Sequence, residues 1–222
     1  NVRQWGNATT LYMIDSLGVF PERGAGADGT VSSTEIQTKN RAWYNVLPPY
    51  VGTPPMSNLW NTAQMPRPMR KSLFICPGAK PELTIGGTDN RTFYSSYAQN
   101  YWIDTPAGTR GCNSGGASGF GQLLRLSQVK NPAVFPVVAE NSTGIAESQY
   151  EYKFAYTHAY YMGKPVSGDA FRHNGQANIA FADGHAASFK KEAIYSTAVG
   201  NVYANYGGIQ WNPDRNADGS CP

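Results

Sequence analysis

The sequence predicts an α+β fold in which an N-terminal helix packs on an antiparallel β-sheet, with long loops around both. Three observations predict it. Apolar residues recur at helical spacing through the first twenty positions. Two apolar runs near the other end face each other across Asp183-Gly184, a dipeptide that favours hairpins. Finally, 24 glycines, 15 prolines and 14 tyrosines point to short strands and loops rather than long helices.

In chain order, Val2, Trp5, Thr9 and Tyr12, with Ala8, Leu11 and Ile14 beside them, predict a helix that Gly18 stops before Pro21. No convincing N-cap opens it, because the periodic pattern is already running at Val2; the pattern fits a helix entered part-way or one with a frayed end. A short helix is expected within 33–47 on Ile36, Trp43 and Val46, after which Pro48-Pro49 and Pro54-Pro55 predict stiff, extended chain. Leu73 to Cys76 reads as a short buried segment ended by Pro77. The aromatics Phe93, Tyr94, Tyr97, Tyr101 and Trp102 predict a strand over 92–102. A short apolar turn on Leu123, Leu124, Leu126 and Val129 leads to a buried strand over 133–139 that runs straight into Glu140. A strand or hairpin arm is expected over 149–161, a hairpin over 177–189, a short helix over 190–198, and loop from Tyr206 onwards.

A type I′ turn at Asp183-Gly184 pairs Ala182 with His185. Ile179 and Phe181 then share a face with Ala186 and Ser188, while Ala180 and Ala182 share the other with His185, Ala187 and Phe189. One of these faces must meet the core.

The chain has 222 residues, enough for one domain spanning 1–222 with a buried core. Its formal net charge is +3, and apart from Arg67, Arg70 and Lys71 the basic residues are scattered. Nucleic-acid binding would need a concentrated basic face. No apolar run approaches the roughly 18–20 residues that span a bilayer, so the chain reads as soluble. Internal repeats are absent, as are a Gly-x-Ser-x-Gly elbow and a phosphate-binding loop; Ser118 sits in a glycine-rich stretch.

Candidate ligating residues fall in three groups. Cys76, Cys112 and Cys221 form no Cys-x-x-Cys pair; a Cys76–Cys112 disulfide would staple a glycine-rich loop, with Cys221 able to compete for either partner. His173, Asp183 and His185, together with His158, have the ligand chemistry of a zinc-type site; alternatively Asp183 is the turn residue and His173 fixes the entering loop by bonding backbone or Asp183. Asp214, Asn216, Asp218 and Ser220, with Gly219 for the sharp turn, match the first half of a calcium loop, although Asx-rich turns also produce this pattern. The missing bidentate acid would have to come from elsewhere, such as Glu140 or Asp169. Asn7, Asn90 and Asn141 lie in Asn-x-Ser/Thr triplets, for which chance is the default reading.

His173, nine intervening residues and Asp183-Gly184, with Arg172, Gly175, Asn178, Phe181, Ala182 and His185, resemble the segment that names the prepilin-type family: His, nine residues, Asp-Gly. Gly18-Val-Phe-Pro21 is similar to that family's stretch after the membrane helix. Phe74-Ile-Cys-Pro77 resembles its Phe-x-Cys-Pro, and Ser96-Tyr-Ala-Gln-Asn100 its Ser-Tyr-x-x-Asn. The prepilin cleavage site and hydrophobic helix are absent from this sequence.

The resemblance implies a type II pseudopilin or type IV pilin-like subunit, with 1–20 as the C-terminal part of the pilin helix and 21–222 as the globular head. It implies a non-catalytic structural role in a filament, pseudopilus or surface assembly, at the cell surface, outside the cell or in the periplasm. Partners would be copies of itself or other pilin-like subunits, with Tyr and Trp on loops supplying contacts; membrane attachment would come only through the absent helix. Calcium in the head is part of the same expectation. Two other readings are an extracellular carbohydrate-binding module using Tyr and Trp, and a metal-dependent hydrolase built on His173, Asp183 and His185.

Overall fold

The structure is a computed structural model describing residues 1–24, 31, 33–66, 71–78, 95–103, 123–141, 156–157, 170–194 and 208–211. Within these residues it is α+β. The helices are α1 (Val2–Asp15), α2 (Ser33–Thr38), α3 (Trp43–Val46), α4 (Met56–Asn61) and α5 (Lys191–Ile194). The strands are β1 (Tyr97–Asn100), β2 (Pro136–Glu140), β3 (Tyr156–Thr157), β4 (Gln176–Phe181) and β5 (Ala186–Lys190). They form one sheet in the order β3-β1-β2-β4-β5. β1, β2, β4 and β5 pair antiparallel, and β3 adds to β1 in parallel.

α1 forms because Val2, Trp5, Gly6, Thr9, Tyr12 and Met13 fall on one face and bury against the sheet and the segment from α2 to α4. Trp5 is fully buried; it meets Trp43 edge-on with centroids 5.6 Å apart and lies 5.0 Å from Phe74, and its indole N–H donates to the Leu73 carbonyl. Each such aromatic pair contributes about 0.5–1.5 kcal/mol beyond its buried area. The helix crosses close to β4, where a Cβ placed on Gly6 would lie 2.9 Å from that of Ala180. Asn1 makes no side-chain cap; its amide donates instead to the Ile75 carbonyl at 2.9 Å.

The helix ends one residue earlier than the glycine suggests. Leu17 takes the left-handed conformation at φ 53°, and the Gly18 N–H donates back to Met13 O at 2.7 Å, the long bond of a Schellman motif. The helix expected within 33–47 is two short helices, α2 and α3. Pro48 opens a 3-10 turn rather than extended chain, whereas Pro55 is extended as expected, at φ −52° and ψ 148°, and leads into α4.

The hairpin register differs from expectation by one residue. Ala180 pairs with Ala186, and the Phe181 N–H donates to the His185 carbonyl at 2.9 Å, leaving Ala182-Asp183-Gly184 as a three-residue turn. Of the turn residues only Gly184 has positive φ, 91°, whereas a type I′ turn also needs it at Asp183. The slip exchanges every face assignment. Ala177, Ile179 and Phe181 pack with Ala187, Phe189, Trp102, Trp211 and Ile194, while Ala180, Ala182 and Ala186 belong to the cluster under α1. Both faces of the sheet are therefore covered.

Candidate functional site

Where β2 ends, the strand carries Glu140 into the interior, leaving its side chain 1% exposed. A carboxylate so buried needs donors. β4 supplies two of them: the Asn178 backbone N–H and side-chain amide donate to Oε2 at 2.8 and 3.1 Å. Ser188 on β5 donates to Asn178 Oδ1, fixing which way that amide points. The other carboxylate oxygen, Oε1, lies 2.7 Å from His173 Nε2.

His173 is held by its backbone, which exchanges hydrogen bonds with Gln176 across a turn whose Asn174 and Gly175 both have positive φ. Its Nε2 also lies 3.3 Å from Cys76 Sγ, and that thiol is buried. A single ring nitrogen thus meets both an oxygen and a sulfur. If Nε2 carries the proton it donates to Glu140, and the thiol cannot then donate to it. Tyr97 on β1 adds a side-chain hydrogen bond to Cys76. Burial, then the charges of Cys76 and Glu140, push the Tyr97 phenol far above its ordinary range against the opposing pull of Arg172, so it stays neutral. Arg172 itself donates to the Asn141 carbonyl.

Cys76, Glu140 and His173 present ligand atoms that all lie within 4.8 Å of one another. They border a cavity of about 280 Å³ that Asn1, Arg3, Tyr97 and Ser188 also line. Three motifs that are far apart in sequence therefore meet here: Phe-x-Cys-Pro brings Cys76, Ser-Tyr-x-x-Asn brings Tyr97, and the His-to-Asp-Gly segment brings His173 and Asn178. Asn100 serves the scaffold instead, donating to the Pro136 and Trp211 carbonyls at 2.9 Å each.

Asp183 and His185 stand apart from this group. His185 Nδ1 lies 2.6 Å from Asp183 Oδ1, and its ring stacks on Phe181 with centroids 4.4 Å apart. Burial alone would raise the Asp183 carboxyl, but hydrogen bonds from the His185 ring and backbone N–H, with the His185 charge, hold it below its ordinary value. Of the partners expected for His173, backbone or Asp183, Asp183 is not the carboxylate its ring meets; Nε2 lies against Glu140 instead. The hydrolase trio His173, Asp183 and His185 is thus split between two places, and His158 lies outside the described residues. Cys76 is a free thiol, and its suggested partner Cys112 lies outside the described residues, as does Cys221. The calcium-loop residues Asp214, Asn216, Asp218 and Ser220, and Asp169, lie outside them as well. Glu140 was legible only as a spare carboxylate; the signal for its role was an acid closing an otherwise apolar buried strand.

The second notable surface is the outer side of α1. Leu11, Ile14 and Leu17 are 45%, 68% and 85% exposed, the large apolar side chains most open to solvent among the described residues. The tryptophans Trp5, Trp43, Trp102 and Trp211 are buried instead, as is Tyr44. Among the described residues no helix is long and apolar enough to cross a membrane. Comparison with protein-family models, curated proteins and solved structures finds no match to this chain.

Proposed function

We propose that this chain is the head of a pilin-like structural subunit, non-catalytic, that assembles with copies of itself or related subunits at the cell surface. The observation that carries the reading is the two-sided character of α1. One face is committed to the sheet, while the other ends in Leu11, Ile14 and Leu17, which are exposed among the described residues. Leu17 is the most telling of the three. A left-handed position favours glycine or asparagine, and a leucine there costs about 1–2 kcal/mol of backbone strain without any burial to offset it. Contact with a neighbouring subunit would supply that burial, and these residues, rather than the loop tyrosines and tryptophans, would be the anchors.

Sedimentation velocity tests this. The chain is expected to self-associate with rising concentration, and Ile14→Asp and Leu17→Gly are each expected to weaken association at least tenfold. Leu17→Gly should at the same time unfold no earlier than the parent, because glycine relieves the strain. A chain that stays monomeric at every concentration, or variants that associate as the parent does, would overturn the reading. For the carbohydrate-binding alternative, Trp5, Trp43, Trp102 and Trp211 are buried and Trp60 is partly buried, and for the hydrolase alternative the trio is divided between two places.

A further inference from the structure

We propose that Cys76, Glu140 and His173 form a mononuclear site for Zn2+ or a similar borderline divalent transition metal. The ligand set is a thiolate, an imidazole and a carboxylate, the donors that such ions take in tetrahedral sites. The atoms already converge: Nε2 lies 2.7 Å from Oε1 and 3.3 Å from Sγ, and all three lie within 4.8 Å. Zinc–ligand bonds of about 2.0–2.3 Å require tetrahedral edges of roughly 3.3–3.8 Å, so seating the ion opens the 2.7 Å edge between Nε2 and Oε1 by about half an ångström, widens the 3.3 Å edge between Nε2 and Sγ slightly, and brings the carboxylate oxygen and Sγ, which lie within 4.8 Å, to that same range.

The surroundings fit an ion better than a catalytic relay. A nucleophilic Cys-His-acid arrangement needs the thiol on one ring nitrogen and the acid on the other, whereas here both crowd onto Nε2. Convergence on one point is what a metal demands. The carboxylate that would ligate through Oε1 is anchored through Oε2 by both Asn178 donors, and Asn178 is anchored in turn by Ser188. Such outer hydrogen bonds aim a ligand and hold it there. On binding, Cys76 releases its proton to solvent, and the dication neutralises a buried thiolate and carboxylate together. The cavity beside the cluster, lined by Arg3, Tyr97 and Ser188, leaves room for water or an anionic fourth ligand. The site stands whether or not the chain assembles.

Cobalt(II) titration of the purified chain tests the proposal in a Cys112→Ser, Cys221→Ser background, where Cys76 is the sole thiol. One equivalent should produce a thiolate-to-cobalt charge-transfer band and the intense visible bands of tetrahedral cobalt. Zn2+ should abolish both and raise the unfolding temperature, and a chelator should reverse that rise. Cys76→Ser should lose the charge-transfer band, while His173→Gln and Glu140→Gln should each weaken binding at least tenfold. Should those variants fail to fold, X-ray absorption of the zinc-loaded parent must still show one sulfur among nitrogen and oxygen neighbours. No charge-transfer band in the folded parent, a band that survives Cys76→Ser, or a zinc shell without sulfur would each overturn it.

Discussion

At the scale of single residues, the structure turns on how one buried carboxylate is satisfied. Glu140 takes donors from Asn178 and His173, residues 38 and 33 positions away. Replacing Asn178 with alanine removes the side-chain donor and the link to Ser188, and is expected to cost about 1–3 kcal/mol in chemical denaturation. A second expectation concerns Tyr50, whose hydroxyl donates to Asp15 at 2.7 Å and ties the end of α1 to the turn after α3. That bond, then burial and the Asp15 charge, push the phenol up to about 12. Because the folded value exceeds the ordinary one, the stabilisation is fully present below pH about 10 and fades as pH rises through 12. Tyr50→Phe should therefore flatten the alkaline limb of the stability profile, and an unchanged limb would contradict the assignment. Cys76, Tyr97, His173 and Asn178 were each legible in sequence as motif members. Their meeting was not, since Cys76 and His173 are 97 positions apart and spacing carries no information at that range.

At the scale of elements, α1 was the most legible because seven buried positions repeat at helical spacing over 14 residues. What the pattern could not reveal was which apolar residues face outward: Leu11 and Ile14 fit the stripe in sequence but lie on the solvent side. The hairpin was legible in place and wrong in register, because Asp183-Gly184 is compatible with both two- and three-residue turns and the dihedral at Asp183 decides between them. In the segment with α2 to α4 one short helix was legible, within 33–47, but the 3-10 turn at Pro48 and helix α4 were not, since prolines at the start of a helix look like breakers until their position within the turn is known. One substitution tests the packing of α1 on β4. Gly6→Val places atoms against Ala180, where even a Cβ is at 2.9 Å, so thermal unfolding should shift downward by about 1–3 kcal/mol of stability. A neutral effect would mean that the helix is not seated as described.

At the scale of the whole molecule, a helix closes one face of a five-stranded sheet and the cluster around Trp102, Phe181 and Trp211 closes the other. The antiparallel α+β plan followed from composition and pattern. The parallel addition of β3 did not, because pairing direction depends on connections that propensity does not encode. With both sheet faces used, the outer side of α1 is where the described surface stays apolar, and it is the surface on which the proposed assembly depends. The most direct measurement is photo-crosslinking from position 14 of α1 in the protein on cells that make it. Assembly through this face predicts a ladder of multimers of this one chain or adducts with a related subunit. A lone uncrosslinked monomer under the same irradiation would contradict it.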